Sequence, residues 1–308
     1  MAEYHLDDRQ PHACWDNSLE PRLRIQSGDT VVFETLEAAG QITPDWTTAD
    51  LAHVDSDKVH ALTGPVTVEG AEPGDSLAIE ILDLKHKGWG WSAVIPGFGL
   101  LADEFPDPFL HHVSLEGDTC RFAEGVELPF EPFCGCMGVA PAEPGRLGTI
   151  PPRRNGGNID VRHLTAGSTA YLPVLHAGAL FSCGDCHATQ GDGEINGTGI
   201  ESPMTVTLKI HLRKGVKIPE LQFRTPAGQP LTRAGGGGYF VTTAHGPNLH
   251  ENAAQAVRYM LDHLTTEYGL SREVAYVLCG AAVDLKISEL VDDPNAIVSA
   301  YLPLEIFE

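Results

Sequence analysis

The sequence predicts a mainly β protein with a small α/β part at its C-terminal end. Three observations carry this. Short runs that alternate apolar with other residues recur before residue 215. Glycine and proline are abundant, 33 and 22 of 308 residues, and fall between those runs. Clear helical periodicity is confined to the last part of the chain.

The elements follow in order. DTVVFETLE comes after Ser27-Gly28, and PVTVEG and SLAIEILDL flank Pro73-Gly74-Asp75. That triplet is a turn signal, because proline presets φ, glycine supplies φ > 0 and aspartate bonds its own backbone. STAYLPVLHAGALF and MTVTLKIHL alternate in the same way. Short strands between frequent Gly/Pro turns indicate a β-sandwich or barrel. Segment 86–154 is aromatic and rich in Gly and Pro, and reads as strands joined by long, site-building loops. Over 251–271, Ala253, Ala256, Val257, Met260, Leu261 and Leu264 keep the i, i+3, i+4, i+7 spacing of an amphipathic helix. Gly269 ends it. SREVAYVLCGAAV then forms a second helix or a helix-to-strand passage. The chain divides into a β core at 1–85 plus 155–214 with the polar motifs, a β/loop insertion at 86–154, and an α/β region at 215–308.

Charge excludes several functions. Lys plus Arg total 20 against 42 Asp plus Glu, a net charge of −22. Phosphate neutralisation needs clustered Lys and Arg, so nucleic acid is not a partner, and neither is an anionic membrane. No stretch approaches the ~18 consecutive apolar residues of a membrane span. The start, MAEYHLDDRQPHACWD, lacks the basic and apolar regions of a signal peptide. Seven cysteines without an export signal are by default reduced thiols in the cytoplasm. Part of the acid surplus suits cation ligation.

The densest polar cluster runs from Gly184 to Glu194 and is followed by Glu201. Strand residues at i and i+2 share a face, which pairs Asp185 with His187 and Asp192 with Glu194. An oxygen and a nitrogen ligand on one face, with a further carboxylate such as Glu201, meet the needs of Zn²⁺ with a position left open. Such a position makes a water acidic enough to attack a carbonyl at neutral pH. A surface hairpin whose Gly, Asp and Thr merely form turns is the structural alternative. His60, just before Leu-Thr-Gly-Pro, stands at the mouth of a strand, as a metal ligand, a base paired with a carboxylate, or a surface histidine. Lys58 polarises a carbonyl or faces water. Asn158 and Asp160 belong to Arg154-Asn155-Gly156-Gly157-Asn158-Ile159-Asp160, a tight turn first and a ligand loop second. Cys183-x-x-Cys186 and Cys134-x-Cys136 do not have a strong zinc spacing, and Cys134 is a candidate nucleophile. GxSxG, GxxxxGK[ST] and HExxH are absent from the sequence.

Four stretches in order, HVDSDKVHALTGPVTVEGAEPGDSLAIEILDL, PFCGCMGVAPAEPG, PPRRNGGNIDVRHL and YLPVLHAGALFSCGDCHATQGDGEINGTGIE, resemble the acetamidase/formamidase family from about Trp15 onward. The resemblance implies a cytoplasmic, metal-associated hydrolase of short-chain amides that releases ammonia and a carboxylate. For the fold it implies a jelly-roll-like β-sandwich, an additional β-barrel-like part and a C-terminal α/β part. Its GDxHxxQGDGE motif falls on Asp185, His187, Gln190, Asp192 and Glu194. Its closing glutamate is Glu201, its KVHxLTGP histidine is His60, and its GGNxD pair is Asn158 and Asp160. Cys183 and Cys186 stand where the family has small or apolar residues, so that pair is not expected to be essential.

The expected roles are a divalent metal, zinc first, on His60, Asp185, His187 and Glu201. Glu194 is the general base, with Asn158 and Lys58 assisting catalysis. Gln190, Asp192, Asp160 and Cys134 border the substrate. Glu194 and Glu201 can exchange base and ligand roles. Hydrolysis of another small C–N bond, in a lactam or larger amide, and a metal-loaded binding protein without turnover are the alternatives. A homodimer is the default assembly.

Overall fold

The computed structural model describes residues 1–228, 231 and 236–307. Among these residues three β-sheets of nine, five and four strands carry the architecture, and none closes into a barrel. The expected mainly β fold with helices near the C-terminus is present, and the barrel-like element takes the form of open sheets.

The nine-stranded sheet is built around Ser76–His86 and Met204–Arg213, antiparallel, with Ser76 opposite Arg213 and His86 opposite Met204. Met204, Val206, Leu208 and Ile210 are buried at alternate positions while Thr205, Thr207 and Lys209 are half-buried. That is the two-residue period of a strand with one face on a core. The sheet continues through Thr169–Pro173 and Gln222–Arg224 to Tyr239–Gly246, Ala296–Pro303 and Asp284–Glu289.

The five-stranded sheet places Phe133–Gly138 between Gly156–Asn158 and Phe181–His187, followed by Leu62–Val68 and Leu23–Ile25. The two sheets share one core, in which the Phe33 and Phe181 rings meet edge to face at 6.0 Å. Every residue of Phe133–Gly138, Phe181–His187 and Leu62–Val68 is buried. One face of this sheet meets the sandwich core and the other carries the polar cluster.

The four-stranded meander Trp89–Val94, Phe109–Glu116, Thr119–Ala123 and Val126–Pro129 lies in the 86–154 segment. It is tied to the motif region by a backbone bridge: Trp91 N donates to Glu201 O at 2.9 Å and Glu201 N to Trp91 O at 2.7 Å.

Helix α1, Leu249–Tyr268, begins where the Asn248 side chain accepts from the His250 and Glu251 amides. It ends at Gly269, whose φ of 66° is the left-handed cap that glycine adopts without strain. Ala256, Met260, Leu261 and Leu264 of the expected stripe are buried. Helix α2, Arg272–Ala282, follows, capped by Ser271, and leads into the strand Asp284–Glu289. The described residues contain no helix long and apolar enough to cross a membrane.

The Pro73-Gly74-Asp75 turn anchors the start of the central strand. The buried Asp75 carboxylate accepts from Glu72 N at 2.9 Å, Gly215 N at 2.8 Å and Lys214 Nζ at 2.7 Å. Burial pushes its pKa up, but Lys214 and the two amides hold it below the usual value. Asp75→Ala orphans both amides and should cost about 1–3 kcal/mol at neutral pH in chemical denaturation. A depressed folded pKa stabilises above the unfolded value of about 3.9 and loses that effect as pH falls through the folded one. The gap between parent and variant should therefore close below about pH 4.

Candidate functional site

The site begins with a break in the strand Phe181–His187. Asp185 has φ 51°, a left-handed conformation that aspartate tolerates better than most residues. Cys183 and Cys186 both join the sandwich core, with the Cys186 sulfur 3.7 Å from that of Cys134. Asp185 and His187 line the cavity on the other face. The neighbouring strand accommodates this at Gly135. A Cβ there would lie 2.6 Å from Asp160 Oδ1 and 2.8 Å from both Asp185 O and Asp185 Oδ2.

His187 organises the cluster. Its Nδ1 is 2.7 Å from Gln190 Oε1, and Gln190 Nε2 donates to Asp160 O at 3.2 Å. The second bond sets the amide's orientation, so Nδ1 carries the hydrogen and Nε2 presents its lone pair. That Nε2 faces Glu201 Oε2 at 3.1 Å, Asp160 Oδ1 at 3.6 Å and Asp185 Oδ1 at 3.6 Å. Both Asp160 oxygens and Glu201 Oε2 are buried without a hydrogen-bond partner. The other Glu201 oxygen accepts from Gly199 N at 2.8 Å. Lone pairs facing lone pairs in a buried site call for protons or a cation between them. Ligand atoms of Asp185, His187 and Glu201 lie within 4.8 Å of one another, as do those of Asp160, His187 and Glu194, and those of His60, Cys136 and Asp185. One nitrogen with several carboxylate oxygens is a donor set that fits zinc.

The electrostatics follow the crowding. Burial, reinforced by the neighbouring carboxylates, pushes Asp160, Glu194 and Asp292 well above the usual range. Burial lifts Glu201 to about 7, with His187 pulling it back. Burial also raises Asp185, but His60 and His187 outweigh it and hold that carboxyl below its ordinary value. His187 loses basicity by burial and regains more from Glu201 and Asp185, so its net shift is strongly upward.

The remaining expected residues divide. Glu194, with φ 47°, turns into the cavity. His60 approaches Asp185, its Nε2 3.9 Å from Oδ2. Asn158 lines the cavity, accepts from the Cys136 thiol at 2.9 Å and donates to Asp292. Gln190 and Asp160 are buried beneath the cavity lining and support His187. Three residues stand apart from both the cavity and the His187 cluster. Lys58 is exposed and paired with Asp55 at 3.4 Å. Asp192 lies 3.5 Å from Lys286 Nζ. It does not share a face with Glu194, because residues 189–200 form turns rather than a strand. Cys134 is buried in the core, its thiol pushed well up by Cys183 and by burial, which disfavours the thiolate a nucleophile requires.

Cys136 and Asp292 are unforeseen members. Cys136 was visible only as half of a CxC pair, and Asp292 lies far from every motif in sequence. Above the cluster opens a cavity of about 860 Å³ with apolar walls that include Ile42, Trp91 and Phe98. One wall hangs on Glu37, whose buried carboxylate accepts from the amides of Ala39, Gln41 and Ile42 and from Trp91 Nε1.

The chain is similar to known proteins. The profile of the Acetamidase/Formamidase family matches residues 2–147 and 143–308. A formamidase from Methylophilus methylotrophus is 31% identical over 98% of this chain and 90% of its own. The solved acetamidase from Bacillus halodurans is 35% identical, with a TM-score of 0.89 and 98% of both chains covered. A gamma lactamase from Delftia acidovorans is 27% identical, with a TM-score of 0.69 over 100% of this chain and 94% of its own.

Gly135→Ala should expel the Asp160 and Asp185 carboxylates from their places. Its expected outcome is zinc affinity reduced by about 10–100-fold, read by competition with a chromophoric chelator, with the far-ultraviolet circular dichroism of the parent retained.

Proposed function

This chain belongs to the acetamidase/formamidase family of amide hydrolases, and from that membership we propose that it hydrolyses linear primary amides, acetamide and formamide the simplest of them, with a divalent cation. Zinc is the first choice, held by Asp185, His187 and Glu201, with His60 as a further ligand. The observation that carries this reading is the His187 Nε2 lone pair facing three carboxylates, two of which keep oxygens with no hydrogen-bond partner.

A bound divalent cation supplies Lewis acidity, polarising the amide carbonyl and acidifying water near neutral pH. The chain's own residues do the rest. Gln190 fixes the tautomer and orientation of His187. Glu194 lines the cavity beside Asp160 and His187. With a cation offsetting the burial and the neighbouring carboxylates that raise its pKa, Glu194 would take a proton from the water as the new C–O bond forms and give it to the amide nitrogen as the C–N bond breaks. Carboxylate and ammonia leave. Asn158 Nδ2 spends one hydrogen on Asp292 and keeps a second for the oxygen that gains charge. Seven buried, unbridged cysteines suit a reducing compartment such as the cytoplasm.

A lactam is the second reading, favoured by the likeness to the Delftia enzyme. Lactam opening keeps the amine on the product, so free ammonia separates the two.

The test is ammonia release from acetamide by zinc-loaded protein. Glu194→Gln should lower kcat by about 10²–10⁴-fold with zinc still bound, and chelation should abolish turnover. Full activity in the glutamine variant would remove Glu194 as the base. An undiminished rate in metal-free protein would remove the cation.

A further inference from the structure

The cavity above the cluster is much larger than acetamide. A water occupies about 30 Å³ of liquid, so a four-heavy-atom amide leaves most of the roughly 860 Å³ to solvent. A volume of this order holds a drug-sized ligand.

The wall chemistry is one-sided. Away from the floor the lining holds no charged side chain. Ile42, Leu51, Trp91, Ile95, Phe98 and Ile150 present hydrocarbon to it, and Ile95 and Ile150 each keep 38% of their surface open to water. Apart from the exposed Ser56, its polar groups are hydrogen-bonded within the protein. The Trp91 indole N–H donates to Glu37 at 2.9 Å. Thr48 Oγ1 accepts from Leu110 N at 3.1 Å, and Thr198 Oγ1 accepts from Ala93 N at 3.1 Å and lies 2.9 Å from Ser92 Oγ. Ser56 aside, the walls offer an incoming group hydrocarbon and no charge.

We infer that the preferred substrates are primary amides whose acyl carbon carries an apolar chain or ring, and that acetamide is only the smallest member of the series. This rests on the amidase reading above. The apolar group belongs on the acyl side because the nitrogen leaves as ammonia. With the carboxamide on the floor, the acyl group extends between Trp91, Phe98 and Ile150 and covers their apolar surface. A longer acyl group gains contact with the walls, and this binding is uniform between ground and transition states, so it raises kcat/KM mainly through KM.

The test compares acetamide, butanamide, hexanamide, phenylacetamide and N-hexylacetamide on the zinc-loaded enzyme. Each methylene added up to hexanamide should raise kcat/KM about fourfold, the equivalent of about 0.8 kcal/mol. Phenylacetamide should exceed acetamide, and N-hexylacetamide should not. Calorimetry gives a second readout without turnover, in which hexanoate binds more tightly than butanoate and butanoate more tightly than acetate. Ala52→Trp, at an exposed position on the cavity lining, should lower the hexanamide-to-acetamide ratio at least about tenfold. Acetamide turnover with a flat or falling series, or a preference for N-hexylacetamide, overturns the inference and leaves the amidase reading standing. Ammonia from none of the amides overturns both.

Discussion

The structure depends on one confrontation. His187 Nε2 faces three carboxylate oxygens, and the hydrogen on its other nitrogen is committed to Gln190. Asp160, Asp185, Glu194, Glu201 and Asp292 crowd a buried region beside His60 and His187, and burial lowers the basicity of His60. Burying an uncompensated carboxylate costs several kcal/mol even after relaxation, so the cluster must be neutralised. Protons do this in part, which is why most of these carboxyls shift upward. A divalent cation would do it more completely, because it would meet several lone pairs at once.

The rest of the fold reads as the frame for that confrontation. The sandwich core takes Cys134, Cys183 and Cys186 on one side of the five-stranded sheet, so the opposite side is free to carry charge. Of the five non-glycine residues at positive φ among those described, Asp160, Asp185 and Glu194 belong to the cluster. Backbone strain of this kind persists only where the surroundings over-determine it, and it gathers at functional sites. The meander fixes Glu201 through its backbone bridge with Trp91, and Trp91 and Glu37 in turn hold the cavity wall. Charge at the floor and hydrocarbon at the walls therefore come from one set of contacts.

Much of this was legible in the sequence. Local periodicity suffices where one face is buried, so α1 appears with the expected stripe and ends at Gly269. The motif pair Asp185 and His187 shares a face, as strand alternation requires. What was not legible arises from breaks in alternation and from tertiary approach. Asp192 and Glu194 part because Gly193 and Glu194 both take positive φ in a turn. Lys58 sits two residues from His60 yet pairs with Asp55 in a short 3₁₀ turn. Cys136 and Asp292 join through sheet pairing and a C-terminal loop, contacts that no local pattern encodes. The apolar cavity was equally invisible, since its walls come from stretches far apart in the chain.

On the proposed function, a cation rather than protons alone neutralises the His187 cluster in the working protein. Thermal unfolding of chelator-stripped protein, with and without one equivalent of zinc, tests this most directly. A ligand that binds only the folded state stabilises it in proportion to the logarithm of its occupancy ratio. Tm should rise clearly with zinc and saturate near one zinc per chain. An unchanged Tm, with no zinc retained after gel filtration, would contradict it.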